Sequence, residues 1–140
     1  MPSRVWTYNP HRGGVTIPAA VCQQTERRIL KYAAAHHAGK FTRLDIRFRG
    51  ALCYIDAYTE PAKPSARLLA SLGETPEQYL KRLRSVLIHM CRLRYFGCED
   101  AWSMAFFTYS HERYEPCTFG NGSWTGTPEE AFQISSGYLG

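Results

Sequence analysis

No apolar run in this chain approaches the roughly 18 residues that cross a bilayer, so a membrane-spanning helix is excluded. Basic residues all but vanish in the last third. From Glu99 onward Arg113 stands alone against six acidic residues, whereas residues 1–98 carry 16 Lys or Arg against six Asp or Glu. Lysine is scarce throughout, because 13 of the 17 basic residues are arginine. Paired cysteine spacings are missing too. Cys22, Cys53, Cys91, Cys98 and Cys117 are scattered and odd in number, which argues against a disulfide framework and for a reduced, cytoplasmic setting. Residues 1–8 hold no long apolar stretch after a basic start, so no signal peptide is expected.

Other absences narrow the chemistry. His89, Cys91, Cys98, His111 and Cys117 do not form the two close ligand pairs of a structural zinc site, so no metal is expected, and buried thiols are the simpler reading. The loop His11-Arg12-Gly13-Gly14 offers backbone N–H groups and a cation but lacks the strand–glycine–lysine–helix order of a nucleotide loop. Cys53 has no glycine elbow or neighbouring histidine to make it a nucleophile. No cofactor is implied.

What remains is an ordinary globular composition with 44% hydrophobic, 21% charged and an elevated 14% aromatic residues. At this length one domain over 1–140 is expected, burying about two-thirds of its unfolded surface without staples. The arginine bias suits contact with phosphates, since the flat guanidinium binds them with two prongs. A GC-rich genome raises arginine usage as well.

The order of elements reads as α+β. A short strand is expected over 4–8. A helix should follow Pro18 and run to His37, with Cys22, Ile29, Leu30, Ala33 and His37 near one stripe. Residues 43–49 alternate strictly, Leu44, Ile46 and Phe48 against Arg43, Asp45, Arg47 and Arg49, and Gly50-Ala51 turns the chain into a return strand over 53–60. A Pro/Ala/Ser-rich connection, partly helical over 66–72, leads to a helix opened by the capping sequence Thr75-Pro76-Glu77-Gln78. Tyr79, Leu80, Leu83, Val86, Leu87 and Met90 predict a buried helical stripe, with Lys81, Arg82, Arg84 and, farther round, His89 on its basic outer side. Strands are expected over 92–96, 102–110 and 117–119, with a further short one over 123–125. A last helix should start at Thr127-Pro128-Glu129-Glu130 and reach Tyr138. Two α-β-β units would give a four- to five-stranded antiparallel sheet with two or three helices mainly on one face.

On the hairpin, Arg43, Arg47, Arg49, Tyr54 and Tyr58 share the side opposite the aliphatic residues, and Arg92 and Arg94 fall nearby. Rings on a sheet stack bases while arginines neutralise phosphates, the build of a single-stranded nucleic-acid platform. The same pattern fits a solvated face in which Asp45, Asp56 and Glu60 pair with the arginines and repel phosphate. Three readings therefore stay open. The first is a non-enzymatic module binding nucleic acid through these seven residues. The second is a protein-interaction module or homo-oligomer using the basic helix side or the aromatic strands. The third is a small hydrolase with Asp56, His111 and Glu112 as acid and base. The acidic C-terminal part is expected to dock on the basic part and screen it.

Two short patterns, Trp6-Thr7-Tyr8-Asn9-Pro10 and Arg92-Leu93-Arg94-Tyr95-Phe96-Gly97 followed by Trp102, resemble small bacterial proteins of no assigned function. That resemblance implies no activity and no sites.

Overall fold

The computed structural model describes residues 12–139. The strand expected over 4–8, the Trp6–Pro10 pattern and His11 lie outside the described residues.

Helix α1 (Ala19–His36) begins directly after Pro18, whose φ of −62° already suits a first turn. It buries Thr25, Ile29 and Ala33. Leu30, expected in that stripe, is exposed. Strands β1 (Arg43–Arg49) and β2 (Leu52–Tyr58) form the expected hairpin, with Arg47 opposite Tyr54 and Arg43 opposite Tyr58. Its turn passes through Gly50 at φ 59°, a left-handed conformation that glycine adopts without a side-chain clash.

Two short helices follow. In α2 (Ala66–Leu72) the Ser65 hydroxyl caps the Leu68 N–H. In α3 (Pro76–Arg84) Thr75 and Gln78 exchange both bonds of a capping box. Neither helix buries a single residue. Here the structure corrects the sequence. The stripe running to Met90 does not continue the helix, which stops at Arg84, and strand β3 (Ile88–Arg94) begins four residues later. Met90 is buried, but from a strand. The helical spacing of Tyr79, Leu80 and Leu83 describes the residues before the break, whereas Val86 already lies beyond it. Beyond it, pairing with β2 satisfies the backbone of 88–94 and outweighs a local preference of a few tenths of a kcal/mol per residue.

Strands β4 (Ser103–Thr108) and β5 (Arg113–Cys117) complete the sheet. The strand expected at 117–119 thus lies earlier, and 123–125 is not a strand. All neighbours are antiparallel in the simple order β1-β2-β3-β4-β5. Helix α4 (Pro128–Ser135), opened by the Thr127/Glu130 capping box, passes into a 3-10 turn over Ser136–Leu139. The class is α+β, with four α-helices and a five-stranded antiparallel sheet among the described residues. No described helix is long and apolar enough to cross a membrane.

The core joins Ile29 and Ala33 of α1 and Ala131 and Phe132 of α4 to Cys53, Ile55 and Ala57 of β2, Cys91 and Leu93 of β3, Met104 of β4, and Trp102. At the β4 end Trp102 bridges to Gly126, where any Cβ would collide with the Phe119 ring. Arg28 ties the helical layer together. It donates to both carboxylate oxygens of Glu129 on α4 (2.9 and 2.7 Å), lies 2.9 Å from Asp100, and donates to the Glu99 carbonyl. This is where the basic and acidic parts of the chain meet.

Burial pushes the Cys91 thiol up to about 12 and the Cys117 thiol up to about 11, from an ordinary 9.0. A raised folded value means that the unfolded chain loses these protons first, so stability falls as pH climbs from 9.0 towards those values. The urea midpoint in the presence of a reductant should therefore drop between about pH 8 and about pH 11, and drop less in a Cys91→Ala/Cys117→Ala variant than in the native protein. Equal alkaline losses in the two proteins would contradict these buried thiols.

Candidate functional site

Alternation along each strand sends one set of side chains into the core and the other to the opposite side. On β1 the second set is Arg43, Asp45, Arg47 and Arg49, and on β2 it includes Tyr54, Asp56 and Tyr58. The register arranges these in rows across the sheet. One row is Arg47–Tyr54–Arg92–Ala105–Pro116. The next runs from Asp45 through Asp56 and His89 to Phe107 and Tyr114, with Phe107 opposite Tyr114 and 4.7 Å from the His89 ring.

His89 reaches this row because of a bulge. Ile55 pairs with Cys91, yet Asp56 pairs with His89, so Met90 is an extra residue in β3. Met90 and Cys91 are both buried, although they are consecutive. Without the bulge His89 would share the side of Cys91. With it, His89 and Arg92 stand on the same side, next to Asp56. Bulges re-aim side chains in this way.

Asp56 is wholly buried at the centre of the face. Its Oδ2 accepts from an Arg47 Nη at 2.6 Å, and its Oδ1 lies 3.2 Å from His89 Nδ1. The bond to Asp56 holds the Arg47 guanidinium protonated above its usual range, with burial opposing. The Tyr109 hydroxyl, 2.8 Å from the His89 N–H, accepts from it and fixes the backbone there. Burial, with Asp56 adding, pushes the Tyr114 phenol up, so its hydroxyl stays neutral.

Rings and guanidiniums interleave around this trio. Arg43 lies over Tyr58 at 4.5 Å, Arg47 over Tyr54 at 5.2 Å and Arg92 over Tyr114 at 5.2 Å. Tyr54 and Tyr114 meet edge-on at 5.7 Å although they sit on β2 and β5. Ala105 in the row beside them has too small a side chain to hold the rings apart. Tyr54, Tyr58, Phe107 and Tyr114 are half-buried, and Tyr109 is exposed.

The structure therefore gathers Arg43, Arg47, Tyr54, Tyr58 and Arg92 on one face. Arg49 is exposed at the hairpin end of the same side, and Arg94 donates to the Gly13 carbonyl at 3.0 Å. The Asp56/His111/Glu112 grouping is redrawn. His111 Nδ1 lies 2.6 Å from Glu115 in the β4–β5 hairpin, Glu112 occupies its turn at φ 52°, and the histidine on Asp56 is His89. The basic side of α3 is partly neutralised, since Arg82 pairs with Glu74 and Arg84 with Glu60. Cys91, on the core side, receives the Ser135 hydroxyl at 3.5 Å, away from His89.

His89, Phe107 and Tyr114 are the members that sequence reading missed. Alternation in Arg113-Tyr114-Glu115 carries a usable signal for Tyr114. Nothing local marks the bulge that turns His89.

Arg47→Ala should destabilise the protein by about 1.5–3 kcal/mol, the usual loss for a hydrogen bond to a charged group. The double variant Arg47→Met/Asp56→Leu should recover most of that loss, because it removes the buried charge with its partner. Urea unfolding of the two variants measures both, and a double variant less stable than Arg47→Ala would contradict the pairing. Comparison with known protein families, curated proteins and solved structures finds no match to this chain, which leaves the chemistry of this face as the ground for a function.

Proposed function

We propose that the ring-and-guanidinium face of the sheet binds single-stranded nucleic acid. Tyr54, Tyr58 and Tyr114 are the stacking surfaces for bases. Arg43, Arg47, Arg49, Arg92 and Arg94 serve the phosphates. The observation that carries this reading is the threefold repetition of one unit, a guanidinium over a tyrosine ring, on a single side of the sheet. A nucleotide presents the matching pair, a flat π surface joined to an anion. Unstacked bases are required, so the ligand is a single strand.

The carboxylates that argue against phosphate are paired with basic groups, Asp45 among them at 3.6 Å from Arg47. Asp56 is buried between Arg47 and His89, and Glu60 is held by Arg84. In the acidic C-terminal part, Asp100 and Glu129 pair with Arg28, and Glu115 pairs with His111 and Arg113.

Fluorescence anisotropy with labelled single-stranded oligonucleotides tests the reading. Tyr54→Leu and Tyr114→Leu should each weaken binding by about 5- to 150-fold, the equivalent of one lost stacking contact of about 1–3 kcal/mol. Affinity should fall linearly on a log–log plot against salt, and Arg49→Ala should flatten that slope by about 0.7. Tyrosine variants that bind as tightly as the native chain, or affinity indifferent to salt, would overturn the assignment.

A further inference from the structure

We propose that this face also cuts the strand it binds when that strand is RNA, with His89 as the general base; the step rests on the nucleic-acid reading above. Four observations converge on His89. A bulge spends one extra residue of β3 and places the imidazole on the binding side. The ring packs against Phe107 at 4.7 Å, with Tyr114 6.4 Å away on the neighbouring strand. Its backbone N–H is held by the Tyr109 hydroxyl. Its Nδ1 faces a wholly buried carboxylate whose other oxygen already accepts from Arg47. A carboxylate only accepts, so Nδ1 carries a proton, and in the neutral ring the lone pair is then on Nε2. With 35% of its side chain exposed, the imidazole remains accessible to a ligand on the face.

A buried acid that sets the tautomer and orientation of a half-exposed histidine is the arrangement of a positioned base. Asp56 is the positioning residue and His89 the catalytic one. RNA brings its own nucleophile, the ribose 2′-hydroxyl, so a base and cations suffice. His89 Nε2 takes the 2′-hydroxyl proton, and the 2′-oxygen bonds to the adjacent phosphorus. The bond from phosphorus to the 5′-oxygen breaks, and that oxygen takes a proton from water. The products are a 2′,3′-cyclic phosphate and a free 5′-hydroxyl, and His89 then returns its proton to solvent. Nothing is oxidised or reduced. Arg92, the neighbouring member of β3 on this side, and Arg47, on the far oxygen of Asp56, supply positive charge for the crowded phosphorus intermediate.

The test uses the full chain with excess chelator and three labelled single strands of one sequence: RNA, 2′-O-methyl RNA and DNA. The native protein should bind all three in anisotropy and cut only the RNA, leaving 2′,3′-cyclic phosphate ends identifiable by mass spectrometry. His89→Gln should lower the cleavage rate by about 100-fold or more. In His89→Gly, added imidazole should restore cleavage, a response that a merely structural histidine does not give. Asp56→Asn, nearly isosteric and checked for folding by circular dichroism, should lower kcat with little change in KM. If the native protein binds the 2′-O-methyl strand and leaves the RNA intact, the cleavage proposal is wrong and the binding reading stands. Cleavage that survives in His89→Gln also overturns it. Failure to bind any of the three strands removes the binding reading itself.

Discussion

A carboxylate set in the middle of a sheet needs donors from both sides, because an uncompensated buried charge costs several kcal/mol. At Asp56 those donors come from different strands, Arg47 on β1 and His89 on β3. Both partners therefore depend on strand register. A slip of one residue between β1 and β2 would move Arg47 to the other side of the sheet, and loss of the bulge would withdraw His89. The three central residues thus tie the register of half the sheet to the polarity of one face. Around them the rings close in, with Tyr54 and Tyr114 in edge contact over the small Ala105 and Phe107 against the imidazole.

The two sides of the sheet have been given different work. One buries Cys53, Ile55, Cys91, Leu93 and Met104 with Ile29, Ala33 and Phe132 of α1 and α4, and Arg28 fastens those helices through Glu129 and Asp100. The other carries guanidiniums, rings and a single buried acid. The charge asymmetry along the chain resolves accordingly. Acidic residues of the C-terminal part secure a helix contact and cap α4, where Glu130 closes its own capping box, while Arg43 and Arg47 of the sheet lie over Tyr58 and Tyr54.

Much of this was legible in local pattern. Strict alternation in 43–49 and 53–58 located the hairpin and its two faces, and the capping sequences at Thr75 and Thr127 marked the starts of α3 and α4. Of the seven residues expected from the sequence, those strands and β3 gather Arg43, Arg47, Tyr54, Tyr58 and Arg92 together. The misreadings share one cause. Residues 79–90 carry helical spacing, yet Ile88 to Arg94 find their hydrogen bonds on β2, and Asp56 and His111 meet His89 and Glu115 rather than each other.

The sequence by itself determined the class of the fold, the hairpin, the helix starts and the side of the ribbon on which arginine and tyrosine stand. These follow from period-two alternation and capping chemistry, which act over a few residues. Tertiary structure alone decided where α3 ends, that Asp56 is buried, and that His89 rather than His111 is its partner. Those outcomes depend on pairing between residues some thirty positions apart and on one unpaired residue in β3, and no local propensity records such a contact.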